Sequence, residues 1–90
     1  MIRNFKHRGL RELFRNGTTR RVKQDQQARI LRRLDVLNQA ESLNELNIPG
    51  FYFHKLQVQS VFYGIRLTGN WRITFGWEEE PFDVDLEDYH

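Results

Sequence analysis

The chain contains no cysteine, which excludes a disulfide framework and a thiolate metal site. That usage fits a reducing compartment, and a cytoplasmic protein is expected. No apolar run approaches the roughly 18 residues that a membrane span requires. The opening Met1-Ile2-Arg3-Asn4-Phe5-Lys6 lacks the apolar stretch of an export signal. Only two prolines and six glycines occur in 90 residues, and neither a linker, an internal repeat nor a low-complexity segment is visible. A chain of this length buries about 60–70% of its unfolded surface. One domain spanning residues 1–90 is therefore expected, with no association with membrane.

Charge is abundant but unevenly placed. Residues 1–37 hold eleven of the fourteen Lys and Arg and only Glu12, Asp25 and Asp35 as acids. Residues 38–90 hold Lys55, Arg66 and Arg72 against nine acids. The two parts carry formal charges of +8 and −6 on these counts. A basic helical face suits a phosphate backbone, although most charge runs are simply solvated surfaces.

Periodicity divides the chain into helices followed by strands. Ile2 to Phe5 reads as a short edge strand. Leu10, Leu13 and Phe14 recur at helical spacing, and Asn16-Gly17 ends that helix. Asp25 is a candidate N-cap, because its carboxylate can accept an orphan backbone N–H. A second helix runs from there to about Ala40. Ile30, Leu31, Leu34 and Leu37 form its apolar stripe, with Arg29, Arg32 and Arg33 off it. After Ile48-Pro49-Gly50 the pattern becomes β-like: Phe51–Leu56, Val61–Leu67, Trp71–Trp77 and Phe82–Leu86. In the third of these, Trp71, Ile73, Phe75 and Trp77 alternate with Arg72, Thr74 and Gly76. Phe82, Val84 and Leu86 alternate with Asp83, Asp85 and Glu87, and Glu78–Pro81 is the connecting turn. The reading is an α+β domain in the order β-α-α-β-β-β-β. Two N-terminal helices pack on one face of a mostly antiparallel sheet of four to five strands.

The turn around Gly69 fixes a register. A two-residue Thr68-Gly69 loop would put charged and core residues on one face. A Thr68-Gly69-Asn70 loop pairs Leu67 with Trp71 and Arg66 with Arg72, and pattern and register then agree. Two arginines are thus expected side by side on the face away from the helices. Like charges directly opposite cost up to about 1 kcal/mol. Either an anion sits between them, or they splay into water or pair with Asp83, Asp85 or Glu87. His54 lies on the first long strand and His90 follows Asp88-Tyr89. Cleaving RNA without a metal needs a base for the 2′-OH, a cation for the phosphorane and an acid for the leaving oxygen. His54, Lys55, Arg66, Arg72, Asp88, Tyr89 and His90 include all three kinds.

Four segments, in order, resemble the HigB branch of the RelE toxin superfamily, also called plasmid-maintenance killer proteins. They are Ile2–Leu10; Asn47–Phe51 with His54 and Leu56; Thr68–Phe75; and Glu87-Asp88-Tyr89-His90. The resemblance covers nearly the whole chain. It implies a RelE-like, microbial-ribonuclease-type fold and ribosome-dependent cleavage of mRNA in the A site. The nucleotide's own 2′-OH would attack the adjacent phosphate, with no metal or other cofactor. By position, Arg72 would stabilise the phosphorane, while His54, Asp88 and His90 would handle protons or hold the nucleotide. Asn70 and Tyr89 would shape the site, Tyr89 by stacking on a base. Lys55 and Arg66 would contact RNA near the site, and Arg29, Arg32 and Arg33 would bind ribosomal RNA. The partner would be a HigA-like helix-turn-helix antitoxin, with an acidic surface meeting the basic helices.

The chain departs from the family at one place. The family pattern after the histidine is His-x-Leu-Lys-Gly, and here Gln57 occupies the lysine position. Lys55, two residues away, is a candidate substitute. The competing reading is a non-catalytic binder: ParE toxins share the fold and inhibit DNA gyrase without cutting RNA, and a degenerate toxin would bind only its antitoxin. His54, Arg72 and His90 favour the nuclease, because a gyrase binder has no chemical need for them.

Overall fold

The computed structural model describes residues 1–58 and 60–88. Helix α1 spans Arg8–Asn16 and helix α2 spans Gln24–Gln39, and a 3₁₀ turn follows at Leu43–Leu46. Strands β1 (His54–Lys55), β2 (Phe62–Thr68), β3 (Trp71–Glu78) and β4 (Glu80–Asp88) form one sheet in the order β1-β2-β3-β4. All three pairings are antiparallel. Both helices cover one face, which makes an α+β domain. Leu10 and Leu13 of α1 and Ile30, Leu34 and Leu37 of α2 meet Ile65, Leu67, Ile73, Phe75 and Val84 of the sheet in one buried core.

Local signals set the helix ends. His7 caps α1, its Nδ1 accepting from the Leu10 N–H at 3.1 Å. Gly17 ends it in the left-handed region at φ 80°, its N–H donating to the Leu13 carbonyl, as the Asn16-Gly17 stop predicts. Asp25 does not cap α2: Lys23 precedes the helix without a side-chain cap and Asp25 falls in the first turn. There its charge still complements the N-terminal dipole.

The expected first strand contracts to a bridge. Phe5 pairs in parallel with Val84 alone, and α1 begins three residues later, so no length remains for a strand. Bonds from Arg3 N to the Pro81 carbonyl and from Lys6 N to the Val84 carbonyl, each 2.8 Å, tie the segment to β4. The expected Phe51–Leu56 strand also shortens, to two residues. Gly50 and Tyr52 adopt positive φ, 91° and 48°, and an extended chain cannot pass through those values.

The hairpin register holds where it matters and shifts at its tip. Arg66 opposes Arg72, and Ile65 opposes Ile73. Thr68 rather than Leu67 then opposes Trp71, through an irregularity between Arg66 and Thr68. The turn is thus Gly69-Asn70, and Leu67 stays buried. Trp71, expected on the core, is 42% exposed. It stands at the open end of the sheet over a cleft of about 200 Å³ shared with Val22, Ile30, Leu67 and Leu86.

A second irregularity corrects the expected alternation of β4. Thr74 opposes Asp85 and Gly76 opposes Phe82, so β4 uses one residue more than β3. Asp83 takes φ 49° there, and the Asn4 side chain pins it through bonds of 2.7 and 3.0 Å. The bulge turns Phe82 to the far face while Val84 and Leu86 stay on the helix side. The Phe82 ring lies directly on Gly76, where any Cβ would collide with it, and meets Phe62 edge-on at 5.6 Å.

Candidate active site

The face away from the helices carries the site. Paired residues of an antiparallel sheet share a face, so two rows run across it. One row is His54, Gly64, Thr74 and Asp85, and the next is Arg66, Arg72 and Glu87. Neighbouring rows place His54 diagonally beside Arg72, and their side chains meet: Arg72 Nη1 lies 3.0 Å from His54 Nε2. Gly64 makes that approach possible. A Cβ there would stand 3.2 Å from His54 Cε1 and 3.1 Å from a Leu56 methyl, so the glycine opens a seat for the imidazole.

The partners of His54 define its protonation. Its Nδ1 lies 2.8 Å from the Tyr52 carbonyl oxygen. A carbonyl only accepts, so Nδ1 carries the proton. A guanidinium only donates, so Nε2 presents its lone pair to Arg72. His54 is thus a neutral imidazole with its basic nitrogen on the exposed face, in the tautomer that can take a proton.

Tyr52, unremarked in the sequence, belongs to this site. Besides holding Nδ1, its ring lies under the Arg66 guanidinium, 5.2 Å from centroid to carbon. The Arg66 N–H donates to the Phe51 carbonyl at 2.6 Å, which fastens the Phe51-Tyr52 backbone along β2. The two opposed arginines therefore diverge: Arg66 lies on an aromatic ring and Arg72 reaches His54. One signal in the sequence pointed to Tyr52. In the run Phe51-Tyr52-Phe53, burying the outer two leaves the middle one outside.

A cleft of about 220 Å³ adjoins the pair, lined by Lys6, Leu56, Phe62, Thr74, Asp83, Asp85 and Glu87. The sequence offered its acids only as alternative partners for Arg66 and Arg72. Among the described residues no group of three or more His, Cys, Asp or Glu is placed to hold a metal ion.

The other candidates are distributed unevenly. Asp88 opposes Trp71 at the end of β4, in the row beside that of Arg72 and on the alternate side of the strand. Lys55 opposes Tyr63, so it faces the opposite side from His54. The chain bends at Leu56 and Gln57, so strand alternation does not carry Lys55 to the place of Gln57. Asn70 is exposed in the hairpin turn. Arg29 and Arg32 are exposed on α2. Tyr89 and His90 lie outside the described residues.

Arg33 requires correction, because it belongs to the buried stripe rather than to the basic surface. It is 8% exposed, donates from Nε to the Arg66 carbonyl at 2.9 Å, and lies 4.7 Å over the Phe51 ring. Burial, then the charges of Arg29 and Arg32, pull its pKa below the usual value, although a guanidinium remains charged regardless. Its work is to bolt α2 to β2 at the level of the site.

The basic loop between the helices is also built rather than loose. Thr19 Oγ1 donates to Glu12 at 2.7 Å, Arg21 Nε reaches the same carboxylate at 3.3 Å, and Gln27 donates to the Thr19 and Val22 carbonyls. The Thr19 bond foremost, with Arg21, holds the Glu12 carboxyl below its usual range. Arg20 and Lys23 stay exposed on this framework.

Helices on one side of an antiparallel sheet, with an imidazole–guanidinium pair on the other, define a RelE-like toxin. The model of the HigB-like toxin family, described as the RelE-like toxin of type II toxin–antitoxin system HigB, matches residues 3–90. The chain belongs to that family, and a type II system pairs its toxin with an antitoxin. Among curated proteins it is similar to Endoribonuclease HigB of Proteus vulgaris, 36% identical over 92 residues and covering all of both chains.

Proposed function

We propose that this chain is a ribosome-dependent endoribonuclease that cuts mRNA in the A site, in the cytoplasm, and is neutralised by a HigA-like helix-turn-helix antitoxin. The observation that carries the reading is the 3.0 Å His54–Arg72 pair, with His54 held in its base-competent tautomer by the Tyr52 carbonyl. The family membership and the name of the Proteus relative support the same chemistry.

In this mechanism the scissile phosphate takes Arg72 from His54. His54 Nε2 then accepts the proton of the 2′-OH, whose oxygen attacks phosphorus. Arg72 stabilises the phosphorane, in the manner of a preorganised donor aimed at developing charge. The bond from phosphorus to the 5′-oxygen breaks, that oxygen takes a proton from His90, and a 2′,3′-cyclic phosphate remains. Arg66, Asn70 and Tyr89 hold the nucleotide, Lys55 contacts RNA at the sheet edge, and Arg29 and Arg32 contact ribosomal RNA. No helix of the described residues is long and apolar enough to cross a membrane.

The test is 5′-end mapping of mRNA after induction of the toxin, with Arg72→Ala as control. Cuts within translated codons that vanish in the variant are expected. A wild-type toxin that arrests growth without cutting mRNA would replace this reading with the non-catalytic, gyrase-type one.

A further inference from the structure

We propose that Tyr52, with Arg66 laid over its ring, is a stacking platform for a base of the RNA next to the scissile phosphate. The inference rests on the endoribonuclease reading and assigns that site a residue beyond its acid, base and cation. Three observations converge on it. Tyr52 is 64% exposed, whereas Phe51 is 2% exposed and Phe53 packs against the core. The ring is therefore presented outward on the side of the catalytic pair, not left over from packing. Its backbone is held at φ 48°, a left-handed value that an aromatic residue rarely adopts and that costs about 1–2 kcal/mol. Finally, the same residue is fastened to both rows of the site: its carbonyl holds His54 Nδ1 at 2.8 Å, and its ring carries Arg66 at 5.2 Å.

A residue so placed cannot be far from the phosphate that Arg72 binds. Arg66 opposes Arg72 directly, and cross-strand neighbours stand about 5 Å apart. The next base of a single strand lies within reach of a phosphate gripped there. Aromatic rings and guanidinium planes are the two side-chain surfaces on which unpaired bases stack. Here they are joined, and Arg66 covers only one side of the ring. The stack is indifferent to base identity, because every base has a π-face. Tyr52 therefore contributes affinity and placement rather than codon choice.

The experiment is single-turnover cleavage of mRNA in a programmed ribosome complex, using Tyr52→Asn, Tyr52→Phe and the unaltered toxin. Asparagine tolerates the left-handed backbone, so it removes the ring without adding strain, and circular dichroism checks folding. Tyr52→Asn should raise the half-saturating toxin concentration about tenfold to a hundredfold, the range expected for one lost stack, while Tyr52→Phe stays near the unaltered toxin. The same assay with an abasic nucleotide at each A-site position should find one position where the abasic loss and the Tyr52→Asn loss do not add. Should Tyr52→Asn misfold, Arg66→Gln must show that non-additivity at the same position. Additive losses at every position, or an Asn variant as tight as the unaltered toxin, would overturn the platform while leaving the nuclease standing. An unaltered toxin that cuts nothing would instead overturn the endoribonuclease reading, and this inference with it.

Discussion

Replacing Arg72 by alanine separates fold from chemistry, because the side chain lies on the sheet face that carries no core. Truncation removes the bond to His54 Nε2 at 3.0 Å, a loss of about 0.5–1.5 kcal/mol. It also relieves the direct opposition to Arg66, worth up to about 1 kcal/mol. Truncation on this face opens no core cavity, so the melting temperature should move by only a few degrees for a domain of this size. The chemical loss is larger. Removing one preorganised donor aimed at a developing charge costs about 3–4 kcal/mol, or roughly 10²–10³ in rate. Arg72→Lys should also be poor, because an ammonium cannot grip two phosphate oxygens in a fork. The control is Arg29→Ala on the exposed side of α2, which should weaken ribosome binding and lower the salt slope by about one phosphate contact without touching the limiting rate. Cleavage of a programmed ribosome complex reads the rate and circular dichroism confirms folding. A folded Arg72→Ala protein that cuts at the unaltered rate would remove Arg72 from the mechanism.

Gln57→Lys should raise the cleavage rate by restoring an ammonium where the family carries one. If the rate stays unchanged in Gln57→Lys, and also in Lys55→Ala, no lysine is needed there. Arg33→Ala should cost about 2–3 kcal/mol in a urea titration, because it leaves the Arg66 carbonyl without its 2.9 Å donor and strips the Phe51 ring of its cation; a stable variant with weakened ribosome binding would return Arg33 to the RNA surface. Glu12→Gln tests the α1–α2 loop through pH. The Glu12 carboxyl titrates below its ordinary value of 4.5 in the folded protein, so its contribution is present above that range and is lost as pH falls through the folded value. The melting-temperature gap between the unaltered protein and Glu12→Gln should therefore be open at neutral pH and close on acidification; a gap that does not narrow as pH falls below 4.5 would detach the effect from this carboxylate.

What was legible in the sequence was whatever depends on period and on short-range chemistry. Alternation along β3 put Ile73 and Phe75 in the core, and the register argument put Arg66 opposite Arg72. The Gly17 stop ended α1 where expected. Two of the misses depend on a residue distant in the chain. Asn4 pins the bulge at Asp83, and one inserted residue sends Phe82 to the other face, which strand alternation alone cannot foresee. Arg33 was placed by its charge, yet it stands three residues after Ile30 and four before Leu37, within the buried stripe. What admits it is the Arg66 carbonyl, 33 residues later, waiting for a donor. The period was the better guide than the charge.

The site shows the same division at closer range. Residue type and family resemblance are what single out His54 and Arg72 for acid–base and phosphate chemistry. That they touch does not follow from these, because the contact is favoured by two features elsewhere: room beside Gly64, where a Cβ would crowd the imidazole, and a left-handed turn at Tyr52. The turn brings a carbonyl, not a side chain, against Nδ1, and no carbonyl can be recognised from residue identity. It also sets the two guanidinium groups on different partners. Arg66 rests on the Tyr52 ring and Arg72 donates to the nitrogen that Tyr52 leaves unprotonated, so one residue holds both guanidinium groups. In the proposed mechanism, engaging RNA would exchange contacts that already exist: a phosphate would replace Nε2 for Arg72, and the freed Nε2 would turn to the 2′-OH. On that mechanism the cation and the base would be switched on by one event, so the loss of either should abolish cutting while the sheet beneath them stays folded.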